Sequence, residues 1–285
     1  MKPRLPFSYA GGKANKLDWL LPLLNVPCKH FIEPFCGSAC VTINRRRSEL
    51  ETINDSSGEI VNFFRQLRDN GEELLRLIYL TPFAREEFVT STDIAGLSDV
   101  ERARRYYVSI SQSFGSFPVK DARHAGWAKR LIPPSQMSPG RRATSLANKL
   151  AGKMGDLEYI ITRLRHVQME NRDAMFIIGK YDQEGVLFYC DPPYLSRRGG
   201  EMYPSEMMDE SSHLALINAL KACKAKVAIS GYDSDLYRRE LSDWYRYVER
   251  ERVSAPAHGR GKLANYHTNE VVWMNYDPSL VGRFF

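Results

Sequence analysis

The sequence predicts an α/β fold in which a sheet of alternating strands and helices is interrupted by a long helical, basic segment. Three observations lead there. Between residues 30 and 55 a strand, a small-residue turn, a helix and a second strand ending in an acid follow one another. Over residues 61–165 the character changes to helices and polar loops, and strand character returns at 166–170, 186–190 and 226–230. These changes set the expected domains: residues 1–60 and 166–285 form the sheet domain, and residues 61–165 are inserted into it.

Taken in order, Leu17, Leu20, Leu21 and Leu24 recur at helical spacing over 16–24, and Pro27 ends that element. His30-Phe31-Ile32-Glu33 makes a short strand. Pro34-Phe35-Cys36-Gly37-Ser38-Ala39 then opens a helix through Val41 and Ile43, and 51–55 is the next strand, closing on Asp55. In α/β folds this arrangement holds a nucleoside, because the glycine admits close approach and the acid takes the ribose hydroxyls. By position alone Asp55 is equally suited to cap the helix that follows. Helical periodicity marks 60–67, 72–79 and 100–109, whereas 115–140, rich in Gly, Pro and basic residues, reads as a long loop of the kind that is functional or disordered. A helix over 211–223 leads to the strand 226–230. Two antiparallel strands, 245–252 and 270–275, flank a Gly- and Lys-rich loop at 258–262.

Composition narrows the class. The 285 residues are 43% hydrophobic and 26% charged, as in a soluble globular protein. No run approaches the ~20 apolar residues of a membrane span, and Met1-Lys2-Pro3-Arg4-Leu5 lacks the apolar core of a signal peptide. The expected location is the cytoplasm. Five cysteines, odd in number and without a C-x-x-C pair, argue against a zinc site or a disulfide framework, so no metal is expected. The net charge of +6 is unevenly spread: residues 102–153 carry eleven Lys or Arg against a single acid, Asp121. Interleaved with Tyr106, Tyr107, Phe114, Phe117 and Trp127, such a stretch suits a phosphate-tracking surface. A merely soluble face mixes signs. The candidate phosphate contacts are Arg123, Lys129, Arg130, Arg141 and Arg142, while Arg45-Arg46-Arg47 reads as a solvated helix end.

The most telling segment is Asp191-Pro192-Pro193-Tyr194, entered through the apolar run Val186-Leu187-Phe188-Tyr189-Cys190. Two prolines forbid helix and fix the turn. Neither has an N–H to donate, so their carbonyls and the Asp191 carboxylate remain as acceptors, a match for the two N–H donors of an exocyclic amine. Tyr194 adds a stacking face worth roughly 1–3 kcal/mol to a base.

Three motifs together carry a family resemblance. Phe7-Ser8-Tyr9-Ala10-Gly11-Gly12-Lys13 resembles the aromatic-A-G-G-K signature of the Dam-like, or D12 class, DNA adenine N6-methyltransferases. Phe31 to Ala39 is similar to that family's cofactor motif, and Asp191-Pro192-Pro193-Tyr194 to its catalytic motif, in the same order along the chain. The tetrapeptide alone also occurs in cytosine N4, RNA and protein glutamine methyltransferases; the A-G-G-K makes the combination specific. The resemblance implies a Rossmann-like S-adenosylmethionine-dependent methyltransferase sheet with an inserted, mostly helical target-recognition domain. It also implies cofactor contacts at Tyr9, Lys13, Gly37, Asp55, Asp173 and Asp191, and catalysis by Asp191, Pro192 and Tyr194. Double-stranded DNA is the implied partner, with the target adenine flipped out of the helix, and a cognate restriction endonuclease or other system partner is admitted. One departure stands out: the motif's second glycine is Ala39, tolerable if its backbone dihedrals are ordinary. The rival readings are methyl transfer to RNA or to a protein glutamine on the same scaffold, and a DNA-binding protein on a decayed enzyme.

Overall fold

The computed structural model describes residues 3–9, 11–113, 119, 121–127, 154–195, 209–249 and 270–280. Strands β1 (His30–Glu33), β2 (Leu50–Asn54), β3 (Gln168–Glu170), β4 (Val186–Cys190), β5 (Lys226–Tyr232), β6 (Tyr245–Val248) and β7 (Glu270–Met274) form a sheet in the order β3-β2-β1-β4-β5-β7-β6. The described helices are α1 (Leu17–Leu23), α2 (Cys40–Asn44), α3 (Gly58–Asp69), α4 (Gly71–Leu80), α5 (Arg85–Thr90), α6 (Asp99–Gln112), α7 (Met154–Leu164), α8 (Ala174–Tyr181), α9 (Glu210–Lys221) and α10 (Asp235–Glu240). Among the described residues no helix is long and apolar enough to cross a membrane. The chain divides into two compact units, one of Met1–Leu17 with Cys36–Arg172 and one of Asp18–Phe35 with Asp173–Phe285.

In the first unit the core is built by helices whose apolar residues share one stripe. Ile60, Phe63, Phe64 and Leu67 of α3 repeat at i, i+3, i+4 and i+7, as do Ala103, Tyr106, Tyr107 and Ile110 of α6. Ser98 starts α6 by accepting from the Glu101 amide at 3.4 Å. Phe7 fills the middle of the cluster, edge-on to Phe63 at 5.2 Å and to Tyr106 at 5.7 Å. A Phe7→Ala change there removes a fully buried ring, a class of change that costs about 3–5 kcal/mol. Ile43, Ile53 of β2, and Leu157, Ile160 and Leu164 of α7 belong to the same core. Gly71 lets α4 and α7 approach, since a Cβ on it would sit 2.7 Å from Ile161 Cδ1. Buried Arg163 of α7 pairs with buried Glu51 and donates to the Thr42 carbonyl at 2.8 Å.

The second unit holds the other five strands. β4 runs parallel to β1 and to β5, and β7 runs antiparallel to both β5 and β6. All five residues of β4 are buried. A central parallel strand covered on both faces reads as an unbroken apolar run, as 186–190 does. Ile177 and Ile178 of α8, Leu216, Ile217 and Leu220 of α9, and Leu236 and Tyr237 of α10 pack with Val227, Ile229, Val271 and Trp273 of the strands.

Most expected elements appear within a residue or two. Helix α3 is longer than 60–67 because its ends are polar and carry no apolar stripe to read. β6 ends at Val248, short of the expected 252, with Glu249 described outside it and residues 250–252 and the loop at 258–262 outside the described residues. Helices α5, α7, α8 and α10 were not anticipated; α5, α8 and α10, at 6, 8 and 6 residues, are too short to establish a period, whereas α7, at 11 residues, carries a stripe of Leu157, Ile160, Ile161 and Leu164 that was legible and missed.

Candidate active site

Within the first unit, four of the sequence-predicted residues meet around one turn. The Gly12 amide donates to the Tyr9 carbonyl at 2.9 Å, and Gly11 takes φ 75°. Lys13, only 3% exposed, donates from Nζ to the Gly11 carbonyl at 3.0 Å. The Cys36 amide donates to the Asn54 carbonyl at 2.9 Å, tying the motif turn to the end of β2. Gly37 has φ +48°, and a Cβ on it would lie 3.1 Å from Tyr9 Cε1. Glycine is therefore favoured here twice over, by the left-handed backbone and by the aromatic ring close against it.

Asp55 follows β2 directly. Its Oδ2 accepts from the Gly37 amide at 3.0 Å and its Oδ1 from the Ser57 amide at 2.9 Å. Burial pushes the carboxyl above its ordinary value, and the amides of Ser57 and Gly37 pull it back. The acid thus pins the glycine turn to the segment before α3, whose N-cap position is Ser57 and not Asp55.

Ala39 requires a correction. The condition for tolerating it was an ordinary backbone, yet it adopts φ 50° and ψ 28° as the residue preceding α2. A left-handed alanine costs roughly 1–2 kcal/mol. The turn imposes it: the Ala39 amide reaches back to the Cys36 carbonyl at 2.6 Å while its own carbonyl accepts the first helical bond from Ile43 at 3.0 Å. Its methyl group is fully buried in the core with Phe7, so packing offsets part of the strain.

In the second unit Asp191 is the residue after β4. The register that sets Cys190 beside Ile229 brings Ser230 next to it, and Ser230 Oγ donates to Asp191 Oδ1 at 2.7 Å. Behind them the buried Tyr189 hydroxyl lies 3.1 Å from Ser230 Oγ. Tyr194 donates from its hydroxyl to Glu270 Oε1 at 2.6 Å, and its ring meets that of Tyr232 edge-on at 4.6 Å. Burial and the neighbouring acids Asp191 and Glu270 raise the Tyr194 phenol well above its usual value, so it stays protonated. His213 of α9, 1% exposed, shares a bond of 2.9 Å between Nδ1 and the Tyr237 hydroxyl. Burial holds it below its ordinary value, opposed by the Pro193 carbonyl. Asp173 caps α8, accepting from the amides of Met175 at 2.8 Å and Phe176 at 3.3 Å.

Ser230, Glu270, Tyr232 and His213 were not among the expected site residues. Ser230 and Glu270 sit at ends of strands that the sequence did predict, but only strand pairing places them beside Asp191 and Tyr194.

The basic stretch also needs correction. Arg102 pairs with Glu59 and Asp99, Arg104 with Glu87 at 2.8 Å and Glu101 at 2.7 Å, and Arg105 with Glu101 at 3.0 Å. The acids that balance these arginines come from outside the acid-poor window, so those three cations are structural. Arg123 is exposed and held by both carboxylate oxygens of Asp93, at 2.6 and 2.8 Å. Lys129, Arg130, Arg141 and Arg142 lie outside the described residues. Trp127 is anchored by stacking on Phe83 at 5.3 Å and by donating from Nε1 to Gln112 at 3.1 Å. Among the described residues no group of three or more His, Cys, Asp or Glu is arranged to hold a metal ion.

The mixed seven-stranded sheet, with an acidic Pro-Pro-Tyr turn at the end of its buried fourth strand, is consistent with a methyltransferase fold. The chain belongs to the D12 class of N6 adenine-specific DNA methyltransferases, whose family model matches residues 9–123 and 137–255. It is also similar to the Type II methyltransferase M1.LlaDCHI of Lactococcus lactis subsp. cremoris, at 25% identity with 95% of each chain covered. The protein is thus an enzyme of DNA adenine methylation. Family membership decides against RNA and protein glutamine as its acceptors, and it implies use of S-adenosylmethionine.

Proposed function

We propose that the protein transfers the methyl group of S-adenosylmethionine to N6 of an adenine flipped out of duplex DNA, with Asp191, Pro192 and Tyr194 forming the acceptor side. The observation that carries this reading is the setting of Asp191, an acid fixed by Ser230 at the end of a buried strand and followed by a rigid acceptor-rich turn. Adenine N6 is a poor nucleophile because its lone pair is delocalised into the ring. Accepting its two N–H groups at the Asp191 carboxylate and the Pro192 carbonyl localises that pair. The carboxylate also stabilises the positive charge growing on N6 more in the transition state than in the ground state. Flipping costs a few kcal/mol, which stacking on Tyr194 offsets.

S-adenosylmethionine supplies a methyl group already activated as a sulfonium, so the direct transfer proposed draws on no metal. The first unit's turn fits such a ligand. Its Gly37 face leaves little room for a Cβ beside Tyr9, Lys13 offers an ammonium for a carboxylate, and Asp55 offers acceptors for ribose hydroxyls. Asp173 and Asp191 complete the proposed contact set. Residues 61–165 are the proposed target-recognition region, with Arg123, Lys129, Arg130, Arg141 and Arg142 on DNA phosphates. The Type II relative favours a role in restriction–modification beside a cognate endonuclease.

The test is Asp191→Ala with labelled donor and unmethylated DNA. Transfer is lost while donor and duplex affinities are largely kept; full activity in this variant would sink the proposal.

A further inference from the structure

Glu270 is a carboxylate buried to 4% exposure at the first position of β7. Nothing in the motif reading gives it a task. The β5–β7 register sets it directly opposite Tyr232, and Tyr232 is the ring on which Tyr194 packs edge-on at 4.6 Å. Tyr194 closes the triangle by donating to Glu270 Oε1 at 2.6 Å, the length of a charge-assisted O–H···O bond. A buried acid is costly unless it holds a partner, and one partner here is the aromatic residue of the Asp-Pro-Pro-Tyr turn.

We propose that Glu270 is a positioning residue for methyl transfer, acting through the Tyr194 hydroxyl to fix the plane of the ring and to enrich its π-face. The inference rests on Tyr194 being the stacking platform for the flipped adenine. In the transfer the N6 lone pair forms the new N–C bond and the electron pair of the breaking C–S bond stays with sulfur. Positive charge therefore leaves the sulfonium and appears on the adenine until an N6 proton departs to solvent. An aromatic face attracts a cation through its quadrupole, and a phenol bonded to a carboxylate has more electron density on that face than a free phenol. The gain is larger in the transition state than in the bound ground state, so it belongs to the rate and not to substrate affinity.

The test compares wild type, Tyr194→Phe, Glu270→Gln and the double variant. Single-turnover methylation of unmethylated duplex is measured, with affinities for S-adenosylhomocysteine by calorimetry and for the duplex by anisotropy. Each single variant is expected to slow the methylation step about tenfold, the order of one charge-assisted hydrogen bond partly replaced, with both affinities held within about twofold. The double variant is expected to be no slower than the singles. Losses that multiply, or that appear only in duplex affinity, overturn the proposal. If Glu270→Gln fails to fold, Tyr194→Phe decides, since wild-type rate in that variant overturns it as well. Failure of the underlying reading is separate: a wild-type enzyme that leaves no methyl group on adenine, or an active Asp191→Ala variant, refutes that reading whatever Glu270 does.

Discussion

Replacing Gly37 by alanine probes the proposed cofactor turn most sharply, because two independent costs fall on one methyl group. The backbone sits at φ +48°, where an L-residue with a side chain costs roughly 1–2 kcal/mol relative to glycine. The added Cβ would also lie 3.1 Å from Tyr9 Cε1 and 3.3 Å from Cδ1, short of the roughly 3.5–4.0 Å of an ordinary carbon contact. Tyr9 must withdraw by several tenths of an ångström, and its ring is backed by Phe7, with centroids 6.1 Å apart. The expected destabilisation is about 1–3 kcal/mol, which lowers the melting temperature by about 2–4 °C per kcal/mol for a chain of this size. Displacing Tyr9 also perturbs the proposed cofactor face, so affinity for S-adenosylhomocysteine, read by calorimetry, should fall about tenfold or more, equivalent to roughly 1.4 kcal/mol. A Gly37→Ala protein with wild-type melting temperature and wild-type affinity would refute both the strain argument and the placement of the cofactor against this turn.

Four further outcomes follow from the same geometry. Ser230→Ala removes the 2.7 Å bond to Asp191; hydrogen bonds to charged groups are worth about 1.5–3 kcal/mol, so single-turnover transfer should slow about tenfold or more with donor affinity unchanged, and an unaltered rate would remove Ser230 from the account. Ala39→Gly relieves about 1–2 kcal/mol of left-handed strain but gives up a buried methyl worth about 0.8 kcal/mol and adds unfolded-state entropy, so urea titration should find stability within about 1 kcal/mol of wild type. His213 has its folded pKa depressed by burial, so its contribution is complete above the unfolded value of about 6.5 and is lost as pH falls through 6.5 towards the folded value, at up to about 1.4 kcal/mol per pH unit. His213→Gln should therefore lose less stability than wild type between pH 7.5 and 5.5 in urea titrations, and an identical loss would contradict that sign. Arg123→Ala breaks an exposed pair and should change stability by under about 1 kcal/mol, while reducing the salt slope of duplex affinity by about one if it holds a phosphate.

Much of the sheet was legible because its chemistry is one-dimensional. β4 announces itself as an unbroken apolar run, and the glycine turn between β1 and α2 by its small residues. What escaped was whatever depends on partners distant in sequence. Ser230 reaches Asp191 across 39 residues and Tyr194 reaches Glu270 across 76, and no local pattern encodes either pairing. Ala39 shows the converse limit: the substitution was visible, but its left-handed backbone follows from the Cys36–Ala39 turn and is invisible in composition. The arginines of α6 show the same limit, since the acids that pair them lie on α3, on α5 and at the start of α6, outside the acid-poor stretch 102–153.

Identifying the methylated product is the decisive measurement. Purified protein is incubated with labelled S-adenosylmethionine and unmethylated DNA of mixed sequence, the DNA is hydrolysed to nucleosides, and the labelled species is assigned by mass spectrometry. N6-methyladenine is expected as the sole labelled nucleoside. N4-methylcytosine, or label confined to RNA or protein acceptors offered in parallel, would contradict it.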